Sequence, residues 1–199
     1  MQKKSKMVCI VGINDADYVV SHCVNGKHAI CPFYATWVNM LARCYSAKIQ
    51  ARQPTYIGCT VAPEWHSFMS FRAWMEQQDW EGKQLDKDLL IAGNKVYSPD
   101  TCVFVSRKLN MFTTDCGAAR GEWPIGVDWH GEAFRATCSN QFSGKKEHLG
   151  CFTCPHEAHE AWRARKHELA LIYADQQTDH RIAAALRTRY APGAYQVAA

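Results

Sequence analysis

The chain has 199 residues and a mass of 22.6 kDa, with 47% hydrophobic and 21% charged residues, a composition that indicates one globular domain or two small ones. The formal net charge is only +4, which excludes a broadly polybasic surface, so any contact with nucleic acid must come from locally placed Arg and Lys. No apolar run approaches the roughly 18 residues that a membrane span needs, and we expect no membrane partner.

The chain contains ten cysteines, and their arrangement favours reduced structural thiols over disulfides. The basic start of the chain is followed by an apolar run, residues 7 to 12, that is too short for a signal-peptide core. Structural Zn²⁺ is the main alternative use of the thiols but is not favoured, since zinc ligand pairs are usually separated by a longer connector. Two weak candidates carry that alternative: Cys151, Cys154, His156 and His159, and a second group of Cys23 and Cys31 near His22 and His28.

The first third of the chain predicts a short strand at residues 7 to 11, a polar loop through residues 14 to 26, and a helix at residues 36 to 45. One face of that helix is apolar at helical spacing, and it consists of Trp37, Met40, Leu41 and Cys44. Gln53-Pro54 breaks the helix, and residues 55 to 61 predict a strand.

Residues 63 to 74 predict a second helix with an aromatic stripe. The stripe consists of Trp65, Phe68, Phe71 and Trp74. An apolar face at this spacing usually packs into a core, so we favour core packing over base stacking.

Beyond Gly82, residues 85 to 89 and 101 to 105 predict two strands around the loop at residues 93 to 95, and a helix is expected from Arg107. Residues 113 to 122 are small, polar and Gly-containing, which is typical of a linker. Residues 126 to 162, GVDWHGEAFRATCSNQFSGKKEHLGCFTCPHEAHEAW, combine alternating runs with a Pro-started amphipathic helix and predict a β-β-β-α unit. Its helix should continue to about residue 174, before a short helix at 180 to 190 and a Pro/Gly/Ala-containing tail.

The order GV-x-W, FRA, LG-x-F and an Ala-rich helix with a terminal aromatic resembles the AP2 DNA-binding domain, from residue 126 to about residue 173. The resemblance implies a three-stranded antiparallel sheet that enters the major groove of double-stranded DNA. Its candidate contacts are Trp129, Arg135, Lys145 and Lys146. Arg can bridge guanine O6 and N7, and Lys can hold phosphate.

Structural alternatives for these residues stay open. Trp129 would instead pack at the sheet edge, and the two lysines would solvate a hairpin turn beside Gly144. We expect Ala158, Ala161 and Trp162 to form the helix face on the sheet. The sequence departs from the family pattern in two places: Cys154 stands where a helix-capping Thr is usual, which weakens the cap, and residues 140 to 143 lengthen the hairpin.

Residues 85 to 110 resemble a degenerate HNH nuclease motif, a ββα fold around one divalent metal. The resemblance implies that Asp86 and Asn110 are ligands of Mg²⁺ or Mn²⁺. It also places Lys87 where the general-base His is usual, and Cys102 where an Asn braces the loop. A solvated Lys is a poor base at neutral pH, so Asp88 is the alternative base, with His66 as a further candidate.

A wider pattern over residues 8 to 173 resembles tailed-phage proteins labelled as HNH or homing endonucleases. Its pieces are CPFY, W-x-x-M-x-x-RCYS, YIGCTV, LDKDLL, GNKVYSP, TCVFV and ARGEWPIGV. From these observations we predict an α+β protein with an HNH-like module at residues 1–112, a linker at 113–122, an AP2-like domain at 123–174 and a tail at 175–199. The expected location is the cytoplasm of the host cell.

The predicted function is metal-dependent phosphodiester cleavage by an endonuclease that the AP2-like domain targets to DNA. Two alternatives stay open: a non-catalytic DNA-binding or regulatory protein with a degenerate HNH module, and an inhibitor that binds a host protein. The sequence does not fix the oligomeric state.

Overall fold

The computed structural model describes residues 6–24, 26–114 and 121–192, and it divides the chain into two compact units, Met1–Ser106 and Arg107–Ala199. Helices and small sheets are mixed in both units, which confirms the predicted α+β class. Within the described residues, no helix is long and apolar enough to span a membrane. Most of the expected linker, residues 115–120, and the end of the expected tail, residues 193–199, lie outside the described residues.

In its described residues, 6–24 and 26–106, the first unit contains short strands and three helices. Two hairpins open it, formed by β1 (Lys6–Val8) with β2 (Gly12–Asn14) and by β3 (Ser21–Val24) with β4 (Lys27–Ile30). The helices are α1 (Pro32–Tyr45), α2 (Ala47–Arg52) and α3 (Phe68–Met75), with 3₁₀ turns at Pro54–Tyr56 and Pro63–His66. Strand β5 (Thr60–Val61) runs parallel to β7 (Val96–Tyr97), and β6 (Gln84–Asp86) runs antiparallel to β8 (Val103–Val105).

The core of the first unit is aromatic and lies between α1 and α3. The predicted apolar face of α1 is buried along its whole length. Trp37 also donates its indole N–H to the backbone carbonyl of Trp65 over 2.7 Å, which satisfies the one polar atom of a fully buried ring. Trp65 packs against Phe71 and Trp74 with ring centroids 5.1 and 4.5 Å away. The aromatic stripe is therefore core, as predicted.

The helix predicted over residues 63 to 74 is interrupted at Ser67. Ser67 has extended backbone geometry, and its hydroxyl accepts the N–H of Ser70, so it caps α3 rather than continuing the preceding 3₁₀ turn. The same hydroxyl donates to Asp15 over 2.6 Å, and the other oxygen of Asp15 accepts the N–H of Met69. These contacts tie the start of α3 to the chain that follows the first hairpin.

Four predicted strands are shorter in the structure than in the sequence pattern, and those expected at residues 7 to 11 and 101 to 105 are reduced to β1 and β8. The strand expected at residues 55 to 61 is reduced to β5, because Pro54 begins a 3₁₀ turn and Gly58 adopts a positive φ of 78°. The strand expected at residues 85 to 89 ends at Asp86. The side chain of Asp86 accepts the N–H groups of Asp88 and Leu89 over 2.9 and 2.7 Å, which turns the chain out of the sheet.

In its described residues, 107–114 and 121–192, the second unit contains three strands and three helices. Helix α4 (Arg107–Thr113), which the sequence analysis assigned to the first module, belongs to this unit. A three-stranded antiparallel sheet follows, with β10 (Ala133–Asn140) between β9 (Val127–His130) and β11 (Lys145–Phe152). The long helix α5 (Pro155–Asp175) and then α6 (His180–Arg189) complete it. The expected β-β-β-α order is present.

Helix α5 covers one face of the sheet. Ala158 is fully buried, Trp162 is nearly so, and Ala136 and Cys138 are the buried residues of the central strand that face them. At the other end of the sheet, Glu147 of β11 pairs with Arg165 of α5, with Oε2 2.7 Å from Nε and Oε1 3.1 Å from Nη2. The hydrogen bonds from Arg165 and then from Asn140 lower the pKa of Glu147 to about 2, so this link between helix and sheet persists in mild acid.

Asn140 organises the lengthened hairpin between β10 and β11. Its side-chain oxygen accepts the N–H groups of Phe142 and Ser143 over 2.8 and 3.2 Å, and its amide nitrogen donates to Glu147 over 2.7 Å.

Cys154, which stands where the AP2 pattern has a capping Thr, precedes α5 without making a side-chain capping bond. The weaker cap that the sequence predicts is therefore observed.

Gly126 sets the distance between the sheet and α5. Its φ is +81°, and a Cβ placed on it would lie 2.1 Å from Cδ1 of Trp162. Only glycine therefore fits, for both backbone and packing reasons. Gly131, in the turn between β9 and β10, shares the positive φ at 65° but has open space around it.

A comparison of Gly126 with Gly131 separates the effect of backbone strain from the effect of packing against Trp162. We predict that Gly131→Ala lowers the free energy of unfolding by about 1 kcal/mol, since it only strains the backbone. Gly126→Ala should cost about 3 kcal/mol or more, because overpacking against Trp162 adds to the same strain. Urea denaturation followed by tryptophan fluorescence measures both. Equal losses in the two variants would contradict the close packing at Gly126.

Candidate nucleic-acid interface

The face of the sheet opposite α5 is polar and forms an open concavity. We call it the outer face, and its lining residues are His130, Arg135, Thr137, Lys146, His148 and Cys151. The register explains this set, because Arg135 lies directly opposite Cys151 and Thr137 directly opposite His148, and side chains alternate between faces along a strand. The neighbours of these residues on β10, Ala136 and Cys138, point toward the helix and are buried.

Arg135 lies at the middle strand of the outer face and pairs with Asp128. The two residues are directly opposite each other on β10 and β9, and the Arg135 Nη2 donates to Oδ2 over 2.6 Å while Nε lies 3.4 Å from Oδ1. This side-on geometry engages the Nε and Nη2 edge of the guanidinium. The hydrogen bond from Arg135 lowers the pKa of Asp128, with smaller contributions from Lys146 and His130, so the carboxylate is charged at neutral pH.

Of the four contacts predicted from the sequence, Arg135 and Lys146 lie together on the outer face. Trp129 does not, because it is directly opposite Phe134 and packs edge-to-face on that ring with centroids 4.8 Å apart. Lys145 is directly opposite Asn140, on the side of the sheet that Glu147 shares. The edge-packing alternative for Trp129 therefore describes its contact, although the ring remains 53% exposed.

The sequence analysis did not single out the two histidines of the outer face. His130 and His148 are both exposed, and each lies on a strand that borders Arg135. The signal that could have found them is the alternation of the predicted strands, in which residues 128 and 130 share a face and residues 146 and 148 share a face. Their imidazole rings place additional hydrogen-bonding groups beside Arg135 and Lys146.

The acidic segment that resembles the HNH motif forms a tightly bonded loop between Asp86 and Asn94. Lys87 is only 6% exposed, and its ammonium donates to Asp88 Oδ2 over 2.9 Å and to the backbone carbonyl of Asn94 over 2.8 Å. The amide nitrogen of Asn94 in turn donates to the backbone carbonyls of Lys87 and Val96 over 2.6 and 2.7 Å. Asn94 therefore braces the loop, the role that the resemblance gives to the position occupied by Cys102.

Lys87 is held in its charged form. Burial alone would lower its pKa, but the hydrogen bond and charge of Asp88, together with the charge of Asp86, outweigh burial and raise it. A general base must release its proton near neutral pH, so this environment opposes that role. The alternative bases also have local partners: Asp88 accepts a hydrogen bond from the Lys87 ammonium over 2.9 Å, and a ring nitrogen of His66 lies 3.2 Å from the backbone carbonyl of Val61.

The two predicted metal ligands belong to different units, Asp86 to the first and Asn110, on α4, to the second. Their role as ligands of Mg²⁺ or Mn²⁺ stays a prediction. Across residues 6–24, 26–114 and 121–192, no group of three or more His, Cys, Asp or Glu side chains is arranged to hold a metal ion. In the first zinc cluster considered above, Cys151 lies on the outer face, whereas His159 bonds the backbone carbonyl of Ile125 and stacks on Trp162.

Comparison of the chain with protein-family models, curated proteins and solved structures found no match. The AP2 and HNH resemblances therefore rest on the sequence motifs alone.

Lys87 should matter for stability. We predict that Lys87→Met lowers the free energy of unfolding by about 1–3 kcal/mol, because the loss of the buried ammonium leaves its two hydrogen-bond acceptors without that donor. Lys48→Met, the same change at an exposed position on α2, should leave stability within about 0.5 kcal/mol. Urea denaturation compares the two. If Lys87→Met left stability unchanged and abolished a metal-dependent nicking activity, the structural role would be contradicted.

Proposed function

We propose that this protein binds double-stranded DNA through the outer face of its three-stranded sheet. The observation that carries the proposal is the grouping of Arg135, Lys146 and two histidines in one concavity on the face that α5 leaves uncovered. Cationic side chains hold phosphates, and Arg also reads base edges, so this set supports both kinds of contact with a duplex.

The dimensions of the sheet support a site in the major groove. Neighbouring strands lie about 4.8 Å apart, so three strands span about 10 Å between the outer strand axes. The major groove of B-form DNA is about 12 Å wide and admits β-structure. Because α5 occupies the opposite face, the strands can approach the groove without rearrangement of the unit. A net charge of only +4 means that affinity depends on this local grouping.

Single substitutions on the two sides of the sheet test the proposal. Arg135→Ala and Lys146→Ala should each weaken binding of a duplex, by about tenfold for the arginine. Lys146→Ala should also reduce the slope of log affinity against log salt by about 1. Lys145→Ala is the matched control, since it removes the same charge one residue away on the other side of the sheet. Fluorescence anisotropy with labelled duplex measures all three. Equal losses for the two lysines would count against the outer face.

Metal-dependent DNA cleavage is the second candidate function. It is favoured by the antiparallel pair of β6 and β8, which α4 follows along the chain in the ββα order of the motif, and by the two carboxylates of Asp86 and Asp88. These carboxylates are the residues that would hold Mg²⁺ in the first unit, since Mg²⁺ prefers oxygen ligands. A bound metal would polarise a phosphoryl oxygen and activate water.

Cleavage and binding can be tested separately. If the second candidate is right, purified protein with Mg²⁺ or Mn²⁺ nicks supercoiled plasmid, and Asp86→Asn abolishes nicking while duplex binding is retained. Asn at this position keeps the side-chain oxygen that accepts the N–H groups of Asp88 and Leu89, so the loop is preserved. Binding without nicking at any concentration of either metal would leave DNA binding as the function. Nicking that survives Asp86→Asn would place the chemistry elsewhere.

A further inference from the structure

A carboxylate lies on the edge strand β9 beside the outer face, although the proposed ligand is a polyanion. Asp128 lies directly opposite Arg135 and within the electrostatic reach of Lys146 and His130. An acidic side chain in this place repels phosphate, so it opposes the sequence-independent part of DNA affinity. Packing does not explain it, because the side chain is 40% exposed.

The geometry of the pair leaves one edge of the guanidinium directed away from the carboxylate. Asp128 engages Nε and Nη2 from the side, and the Nη1–Nη2 end carries two further N–H groups. Those two N–H groups match the O6 and N7 acceptors of guanine in the major groove. A carboxylate that holds the guanidinium in place reduces the number of Arg rotamers that must be fixed when DNA binds.

We propose that Asp128 is a positioning residue for sequence recognition: it fixes Arg135 for a guanine in the major groove and lowers affinity for phosphate elsewhere. This inference rests on the proposed function, since it requires the outer face to be the DNA-binding surface. Asp128 thereby acts on two affinities at once, that for the matched duplex and that for unmatched duplexes. It favours the matched duplex by preorganising Arg135 and disfavours unmatched duplexes by repulsion, and specificity is the difference between the two affinities.

Asp128→Asn is the sharpest variant. It removes the charge at constant size, and its amide can no longer accept two bonds from the guanidinium. We expect its affinity for random duplex to rise severalfold, and its preference for the matched over the random duplex to fall by about tenfold. The matched sequence is first obtained by selection from a random duplex library with the unmodified chain, where guanine should be enriched at one position or more.

Two controls separate positioning from folding and from net charge. Glu132→Gln makes the same change of charge at an exposed turn residue and should leave the preference unchanged. Asp128→Glu keeps the carboxylate and should restore part of the preference that Asp128→Asn loses. A merely structural role would lower the affinities for matched and random duplex in equal proportion, and a longer carboxylate would not restore the ratio.

The outcomes are distinct. Loss of preference together with a gain in random-duplex affinity supports the inference. An unchanged preference in Asp128→Asn, an equal loss of affinity for both duplexes, or selection without any guanine enrichment overturns it while leaving DNA binding intact. If the unmodified chain binds no duplex at all, the proposed function fails and this inference fails with it.

Discussion

The close approach of α5 to the three-stranded sheet is the constraint on which the candidate interface depends. Gly126 allows the chain entering β9 to touch Trp162, and the Glu147–Arg165 pair holds the other end of the sheet to the same helix. One face of the sheet is thereby closed by an apolar contact, so the polar residues of the alternating strands must lie on the other face. A side chain at position 126 would separate these layers.

The outer face combines cationic side chains, which attract anions, with a neighbouring carboxylate, which repels them. Arg135 and Lys146 supply positive charge to a chain with little net charge, and the exposed histidines lie beside them. Asp128 offsets part of that charge while orienting the guanidinium. This arrangement fits selective recognition of a duplex better than general attraction to polyanions, because a surface built only for affinity would gain from losing the carboxylate. In the first unit, by contrast, the ion pair and hydrogen bonds of Lys87 are used within its own loop.

Much of the architecture could be predicted from periodicity. The buried face of α1, the burial of the aromatic stripe and the order of the three strands and α5 all follow from spacings of 3.6 or 2 residues. The strand predicted at residues 7 to 11 is present as β1, but β2 and the hairpin β3–β4 were missed, and part of the predicted polar loop at residues 14 to 26 is strand, because these strands have only three or four residues and little alternation. The strand predicted at residues 85 to 89 ends early because the side chain of Asp86 bonds the backbone of the turn that follows it. The helix predicted at residues 63 to 74 is interrupted because Ser67 caps a new helix. Such contacts depend on three-dimensional positions that periodicity does not encode.

The same limit applies to the candidate site. Motif reasoning predicted four DNA contacts, and the strand register places Arg135 and Lys146 on the outer face and Trp129 and Lys145 on the other side of the sheet. It also assigned the loop brace to position 102, whereas Asn94 makes those bonds. The face of Trp129 depends on the register of β9 against β10, which pairs it with Phe134 and not with Arg135, since directly opposite residues share a face. Asn94 follows Gly93, and this turn dipeptide was visible in the sequence.

The most direct test of the central claim is protection of Cys151 by DNA. This thiol is exposed on the outer face beside Arg135, while Cys154 lies at the start of α5. Alkylation of each thiol can be followed by mass spectrometry in the full chain, with and without saturating duplex. The account predicts that bound duplex slows the alkylation of Cys151 and leaves that of Cys154 unchanged. An unchanged rate at Cys151, under conditions where anisotropy shows the duplex to be bound, would contradict it.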